Sequence, residues 1–281
     1  MDKITTIGVL HPGEMGSVVG AAARANELRV LWASDGRGAQ TAARAAAAGL
    51  EDVKTLAPLI AASQVILSIC PPHAAVDLAR LVTARPFAGI YVDANAVSPA
   101  TGREIGKIVT DAGATFVDGG IIGPPPVKPG TTRLYLSGTE APRVAALFSK
   151  GPLEAIAIEG GPGAASALKM AYASWTKGSQ ALLMAVRAFA MAEGVDEGLL
   201  QEWQRSQPDL PKRSEKAVEG TSPKAWRFVG EMEEIAASYA EVNLPSGFHK
   251  AAAELYQRLA VYKDTEHPPT IAEAADKLRG R

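Results

Sequence analysis

The sequence predicts an α/β fold, a doubly wound parallel sheet, followed by an all-α region headed by one long helix. Three observations carry this. Residues 1–160 alternate short apolar runs with alanine-rich helical stretches. An apolar run from Ile4 to Leu10 drops without a spacer into a tight turn, and Gly13 and Gly16 then open a helix. After Gly160-Gly-Pro-Gly163 the alternation stops, and residues 164–193 contain no proline and a single glycine, Gly178.

Composition narrows the function classes. The 281 residues suffice for two domains, expected at 1–160 and 161–281, each with its own buried core. Hydrophobic residues make up 47% and charged residues 21%, and the net charge is −1. That balance excludes a broad electrostatic attraction to nucleic acid or to an anionic membrane. No apolar run approaches the length of a membrane span. Met1-Asp2-Lys3 leads straight into the first strand with no signal or transit peptide in view, so a cytoplasmic location is expected. A single cysteine, Cys70, agrees with that expectation. His11, His73, His249 and His267 have no ligand-like spacing, so no metal site is expected.

Along the chain, strands are expected at 4–10, 29–33, 65–69, 90–94, 115–118, 131–137 and 154–158, where short apolar runs end at turn residues. Helices are expected at 14–26, 38–48, 72–83, 99–112 and 140–148, the alanine-rich intervals between them. Gly123-Pro-Pro-Pro-Val-Lys-Pro-Gly130 is incompatible with helix or central strand and is read as a stiff loop at a strand end, where ligands bind in open α/β sheets. The helix over 164–193 spans roughly 45 Å. Leu168, Tyr172, Trp175, Ser179, Leu182, Val186 and Phe189 recur along it at alternating spacings of four and three, a continuous and mostly apolar stripe. Such a stripe predicts a helix that packs across a subunit boundary, and hence a homodimer. Residues 197–281 read as further helices separated by 206–211, 243–247 and 267–269.

The amino-terminal turn suits a dinucleotide. Gly13 lets the backbone approach a pyrophosphate, Gly16 lets helix and strand pack closely, and the helix terminus offers N–H groups to an anion. His11 stands where the first glycine of GxGxxG would be, and an ordinary β-turn-α junction is the plainer alternative. The residues assigned to the cofactor are His11, Pro12, Gly13, Glu14, Met15 and Gly16, with Ser34 and Arg37 after the second strand, Cys70 and Pro71 after the third, and Asn95 after the fourth. A carboxylate ending the second strand would hold the ribose of NAD. Ala33 occupies that place, and Ser34 and Arg37 suit a 2′-phosphate. NADP is therefore favoured, with Asp35 keeping NAD open. Asn95 has two readings, a hydrogen bond to the cofactor or an Asx turn before Ser98-Pro99. Cys70, at the end of an apolar strand, is read as a small hydrophobe rather than a nucleophile.

Ile7-Gly-Val-Leu-His-Pro-Gly-Glu-Met-Gly16, Tyr91-Val-Asp-Ala-Asn-Ala-Val-Ser-Pro99, Phe116-Val-Asp-Gly-Gly-Ile-Ile-Gly123 and the stretch from Gly160 to Ala173 together resemble the β-hydroxyacid dehydrogenase, 6-phosphogluconate dehydrogenase and imine reductase superfamily. The correspondence runs over nearly the whole length, with a carboxy-terminal helical domain that looks like a less-studied branch. The resemblance implies a Rossmann-type domain, a nicotinamide cofactor, a small-molecule substrate, a homodimer, and Lys169 as the catalytic lysine. The chain also departs from the pattern. Ile122, beside Gly123, falls where the family has a substrate-binding serine, Ala173 falls on its asparagine, and Gly230-Glu231 replaces its lysine–aspartate pair.

A lysine in a desolvated site can move a proton in either direction of an alcohol–carbonyl conversion, whereas a lysine snorkelling from a buried helix carries no chemistry. Tyr172, at i+3 from Lys169, is either a phenol donor or simple interface packing. Glu231 and Glu234, at i, i+3 on one helix, either face substrate or are exposed carboxylates, and His249 is a weaker candidate near a helix start. The expected function is a hydride transfer between NADP and a small hydroxy acid, aldehyde or ketone. The alternatives are an imine reductase or reductive aminase, and a non-catalytic dinucleotide-binding homologue.

Overall fold

In the computed structural model, which describes residues 3–280, the first apolar run forms β1 (Thr6–Val9), with Ile7 and Val9 fully buried. The elements that follow are α1 (Glu14–Arg24), β2 (Arg29–Trp32), α2 (Ala39–Ala47), β3 (Glu51–Asp52), α3 (Leu56–Ala62), β4 (Val65–Ser68), α4 (Ala75–Thr83), β5 (Ile90–Asp93) and α5 (Pro99–Asp111). Then come β6 (Thr115–Ile122), β7 (Thr132–Ser137), α6 (Ala141–Ala145) and β8 (Leu153–Ala157). The strands make one eight-stranded sheet in the order β3-β2-β1-β4-β5-β6-β7-β8. The order reverses between β1 and β4, which marks the crevice where ligands bind in such sheets.

Strand residues alternate between two buried faces. Ile7, Val9, Val65, Leu67, Val92 and Val117 pack on one side, and Leu31, Ile66, Tyr91 and Phe116 on the other. With helices covering both faces, the central strands have no solvent side, which is why they read as unbroken apolar runs.

Three features depart from the sequence reading. The sheet is not wholly parallel, since β7 runs antiparallel to β6. The connection over 123–131 contains no helix and is too short for a crossover, so the chain turns back on itself. β6 continues past Asp118 to Ile122, carrying Gly119 and Gly120 inside a strand. A Cβ on Gly119 would lie 2.9 Å from Asp93 O, and one on Gly120 would lie 2.7 Å from Ala165 O and 2.9 Å from Lys169 Cβ. Close packing on both sides therefore requires these glycines where strand propensity argues against them. Finally, β3 and α3 fall outside the expected elements, being too short to show a period.

The chain divides into two compact units, one ending at Met170 and the other beginning at Ala171. The division falls inside α7 (Ala164–Ala192), which is continuous as expected. The second unit continues with α8 (Asp196–Ser206), α9 (Leu210–Thr221), α10 (Ala225–Glu241), α11 (Gly247–Leu259) and α12 (Ile271–Leu278). Pro211 belongs to the first turn of α9, where its missing N–H costs nothing, rather than to the break before it. Gly178 is tolerated within α7 because a Cβ there would meet the Phe248 ring at 2.9 Å. Arg187 is almost fully buried, with its fork on Asp196 at 2.6 and 2.9 Å and Nη1 donating to Ser214 Oγ at 2.8 Å. It ties α7, α8 and α9 together. Among the described residues no helix is long and apolar enough to cross a membrane.

Candidate functional site

The turn after β1 has the form its glycines predict. Gly13 caps α1 in an extended conformation, with no side chain occupying the cap, and its carbonyl accepts from Ser17 N at 3.0 Å and Ser17 Oγ at 2.7 Å. A Cβ on Gly16 would sit 2.0 Å from His11 O, so no other residue fits there. A Cβ on Gly13 would meet nothing within 4 Å, which leaves open space at the mouth of the turn. Pro12 is buried, Met15 is half-buried and Glu14 is exposed.

Arg37 reaches this turn from the loop after β2. Its Nη1 lies 2.5 Å from His11 Nε2 and its Nη2 donates to Leu10 O at 3.4 Å. Burial, and then the Arg37 charge, push His11 down to about 4, so the imidazole is neutral near pH 7 and Nε2 is the acceptor. Ser34 N donates to Asp52 Oδ1 at 3.2 Å. Asp52 also accepts from Lys54 Nζ at 2.7 Å and Lys54 N at 2.8 Å, and these bonds hold its carboxylate down to about 2. The sequence reading missed Asp52, because a two-residue strand carries no periodicity. Its signal is the register that sets Asp52 beside Trp32.

At the ends of β4 and β5 the Asn95 amide is engaged within the protein. It accepts from Cys70 N at 2.5 Å and donates to Ser68 Oγ at 2.9 Å and Asp93 Oδ1 at 2.5 Å. The cap of α5 is Ser98, whose Oγ accepts from Thr101 N at 3.2 Å. Cys70 is half-buried beside Pro71, and burial pushes its thiol up to about 12, so it is no nucleophile at neutral pH.

Asp93 and Asp118, both fully buried, are direct neighbours across β5 and β6. Asp118 accepts from Ser166 Oγ at 2.6 Å and Ser166 N at 2.9 Å, which anchors the first turn of α7. Burial, and then the nearby Asp118, push Asp93 up to about 7.

One turn beyond Ser166, half-buried Lys169 donates from Nζ to Ile121 O at 2.7 Å. Ile122, next along the strand, is buried, and Gly123 has φ +127°, with a Cβ there only 2.4 Å from Thr131 O. Neither supplies a polar group in place of the family serine.

The remaining candidates lie in the second unit. Tyr172 is about half exposed and Ala173 is buried. Glu231 is not an exposed carboxylate, since it pairs with Lys177 Nζ at 2.8 Å and both side chains are largely covered. Glu234, one turn on, is half-buried. His249 is buried against the Tyr239 ring, with centroids 4.2 Å apart, and its Nε2 is 3.4 Å from Ser174 Oγ. Ser174 Oγ also lies 2.8 Å from Tyr239 OH. Nothing in the sequence marks Ser174, Tyr239 or Lys177, because single polar residues on amphipathic helices carry no pattern.

Comparison with known proteins follows the same outline. A domain of unknown function, DUF1932, matches residues 190–259. An uncharacterized 28.5 kDa protein from the 7S RNA 5′ region of Methanothermus fervidus is 31% identical over 196 residues, 69% of this chain and 74% of that protein. A conserved hypothetical protein from Sinorhizobium meliloti 1021 superposes with a TM-score of 0.75 at 26% identity, covering 99% of this chain and 96% of that one. Mycobacterium tuberculosis 3-hydroxyisobutyrate dehydrogenase, solved with L-serine, has a TM-score of 0.73 at 17% identity, covering 99% and 100%. A reductive aminase from Aspergillus terreus, solved with NADPH and ethyl levulinate, has a TM-score of 0.56 at 18% identity, covering 98% and 99%. At those identities the last two establish the fold alone. A Rossmann-type sheet followed by an all-helical region is the architecture of the 3-hydroxyacid dehydrogenases. The chain belongs to one family with the Methanothermus protein, and its fold is that of the 3-hydroxyacid dehydrogenases.

Proposed function

We propose that the protein is an NAD(P)-dependent oxidoreductase, with NADP favoured, that interconverts a small hydroxy acid or alcohol with its aldehyde or ketone, Lys169 acting as general acid and base. The observation that carries this reading is the Lys169–Ile121 hydrogen bond. A snorkelling lysine extends its ammonium into water, whereas this one is turned back onto the carboxyl end of a strand.

The turn at His11, Pro12, Gly13, Glu14, Met15 and Gly16 fits a dinucleotide, since Gly13 faces open space at the amino terminus of α1. Ser34 and Arg37 after β2 and the strand ends at Cys70, Pro71 and Asn95 would complete the cofactor's surroundings. A bound nicotinamide supplies a hydride acceptor or donor. In the oxidative direction Lys169, as a neutral amine, takes the hydroxyl proton while the carbon gives up its hydride. In the reductive direction its ammonium returns a proton to the carbonyl oxygen. Ile122, Gly123 and Ala173 bring no polar side chain to a substrate, and Tyr172, Glu231 and Glu234 are the proposed substrate-binding residues. Exposure of Leu168, Tyr172, Trp175, Leu182 and Phe189 along α7 supports a homodimer built on that stripe.

The test is a panel of carbonyls, carbonyls with amines, and hydroxy acids, assayed by absorbance at 340 nm with each cofactor. Turnover of carbonyls or hydroxy acids alone is expected. Turnover that requires an amine would instead make the protein a reductive aminase, and tight cofactor binding with no turnover would make it a binding protein.

A further inference from the structure

Arg37 has an unusual set of partners. It leaves the loop after β2, where Gly36 at φ +70° and the Arg37 N to Ser34 O bond make a turn, and lays its guanidinium on the neighbouring turn after β1. Its partners there are a neutral imidazole, His11 Nε2, and one backbone carbonyl, Leu10 O. Among the described residues no carboxylate pairs with it. Asp52, which accepts from Ser34 N on the same loop, is paired with Lys54. A partly buried guanidinium whose charge is left uncompensated is costly in an isolated protein, and it suits a site that receives an anion. Arg37 Nε and His11 Nδ1 are also inaccessible and have no hydrogen-bond partner among the described residues.

His11 stands where the dinucleotide pattern has its first glycine. A glycine there would leave Arg37 without its imidazole partner, and the long side chain would be free to swing into solvent. We propose that His11 is the positioning residue for Arg37, and that the two form one phosphate-recognition unit selecting the 2′-phosphate of NADP. The neutral imidazole accepts from one arm of the fork and fixes its plane, so the charge is already aimed when the phosphate arrives. The inference rests on the cofactor reading above, and it assigns to His11 a purpose that departure from the glycine pattern alone does not give.

The test is binding rather than turnover. Dissociation constants for NADPH and NADH are measured by cofactor fluorescence or calorimetry on the full chain, with adenosine 2′,5′-bisphosphate and 5′-AMP as fragment probes. The wild type is expected to prefer NADPH. His11→Gly should weaken NADPH and the bisphosphate by about tenfold, with NADH and 5′-AMP little changed. Arg37→Ala should do the same, and the double variant should be no worse than Arg37→Ala alone. His11→Gln, which keeps a neutral acceptor, should restore most of the preference, a rescue that a purely structural role would not produce. Equal weakening of NADPH and NADH would place the pair on the pyrophosphate and overturn the proposal. An unchanged preference in His11→Gly, alongside its loss in Arg37→Ala, would show that Arg37 acts alone and overturn it too. A wild type that binds neither cofactor would instead sink the cofactor reading itself.

Discussion

Lys169 Nζ donates to Ile121 O across 2.7 Å, from the first turns of α7 onto the far end of β6. The bond exists because β6 does not stop at Asp118. Gly119 and Gly120 carry the strand on, and the absence of a side chain at Gly120 lets Ala165 and Lys169 settle against it. Asp118, on the same strand, holds Ser166 one turn earlier. The strand thus fixes both the helix that bears the lysine and the direction in which its ammonium points.

Lys169→Met should leave NADP binding nearly unchanged, because the residues assigned to the dinucleotide lie on the turns after β1, β2, β4 and β5. Turnover on the substrate found by screening should fall by about 10²–10⁴, the usual contribution of a positioned acid or base. Methionine keeps length and apolar packing, so a folding defect is a poor explanation for lost activity. Near-normal turnover in this variant would remove Lys169 from the chemistry.

Gly120→Ala tests the packing beneath that lysine. A Cβ 2.7 Å from a backbone oxygen cannot be accommodated by rotating a side chain, so α7 or β6 must shift. Chemical denaturation should report a loss of about 1–3 kcal/mol. Activity should fall further than stability alone explains, since Lys169 moves with its helix. An unchanged midpoint would show that the two elements are not as tightly apposed as the geometry states.

The Asp93–Asp118 pair predicts a particular pH dependence. Asp93 is raised from 3.8 to about 7, so between those values the folded state holds a proton that the unfolded chain releases. Its contribution is complete below pH 3.8 and is lost as the pH rises through 7. His11 acts with the opposite sign, because its pKa is lowered from 6.5 to about 4, and its contribution is lost as the pH falls through that range. Comparing wild type with Asp93→Asn cancels the His11 effect. Urea denaturation at pH 5 and pH 8 should find the variant gaining relative to wild type at the higher pH, and a difference independent of pH would refute the assignment.

The α7 stripe predicts association. Trp175 and Phe189 are 69% and 66% exposed, on the same stripe as half-exposed Leu182. Sedimentation should find a dimer, and Leu182→Lys should shift it towards monomer without lowering helix content. A wild-type protein that sediments as a compact monomer at micromolar concentration would rule out the stripe as a subunit contact.

Much of the fold was legible in the sequence. The runs at Val65–Ser68 and Ile90–Asp93 announced central strands because burial on both faces leaves no polar alternation. The long helix was readable because proline is absent and Gly178 alone interrupts it. The antiparallel turn of β7 was not readable, since the loop before it forbids helix but does not name a direction. The candidate site was legible in part. Gly13, Gly16 and Lys169 stood out by motif and resemblance, whereas Asp52 lies on a two-residue strand with no pattern to mark it.

What the sequence determined by itself was the kind and order of elements, because periodicity, glycine and proline act within a few residues of chain. Only the tertiary structure decided which distant groups share a bond. Arg37 and His11 are 26 residues apart, and Lys169 and Ile121 are 48 apart. Whether Arg37 faces solvent or the first turn, and whether Lys169 snorkels or turns inward, depends on sheet order and on the space left by Gly120. Those are properties of packing, and no local run of residues encodes them.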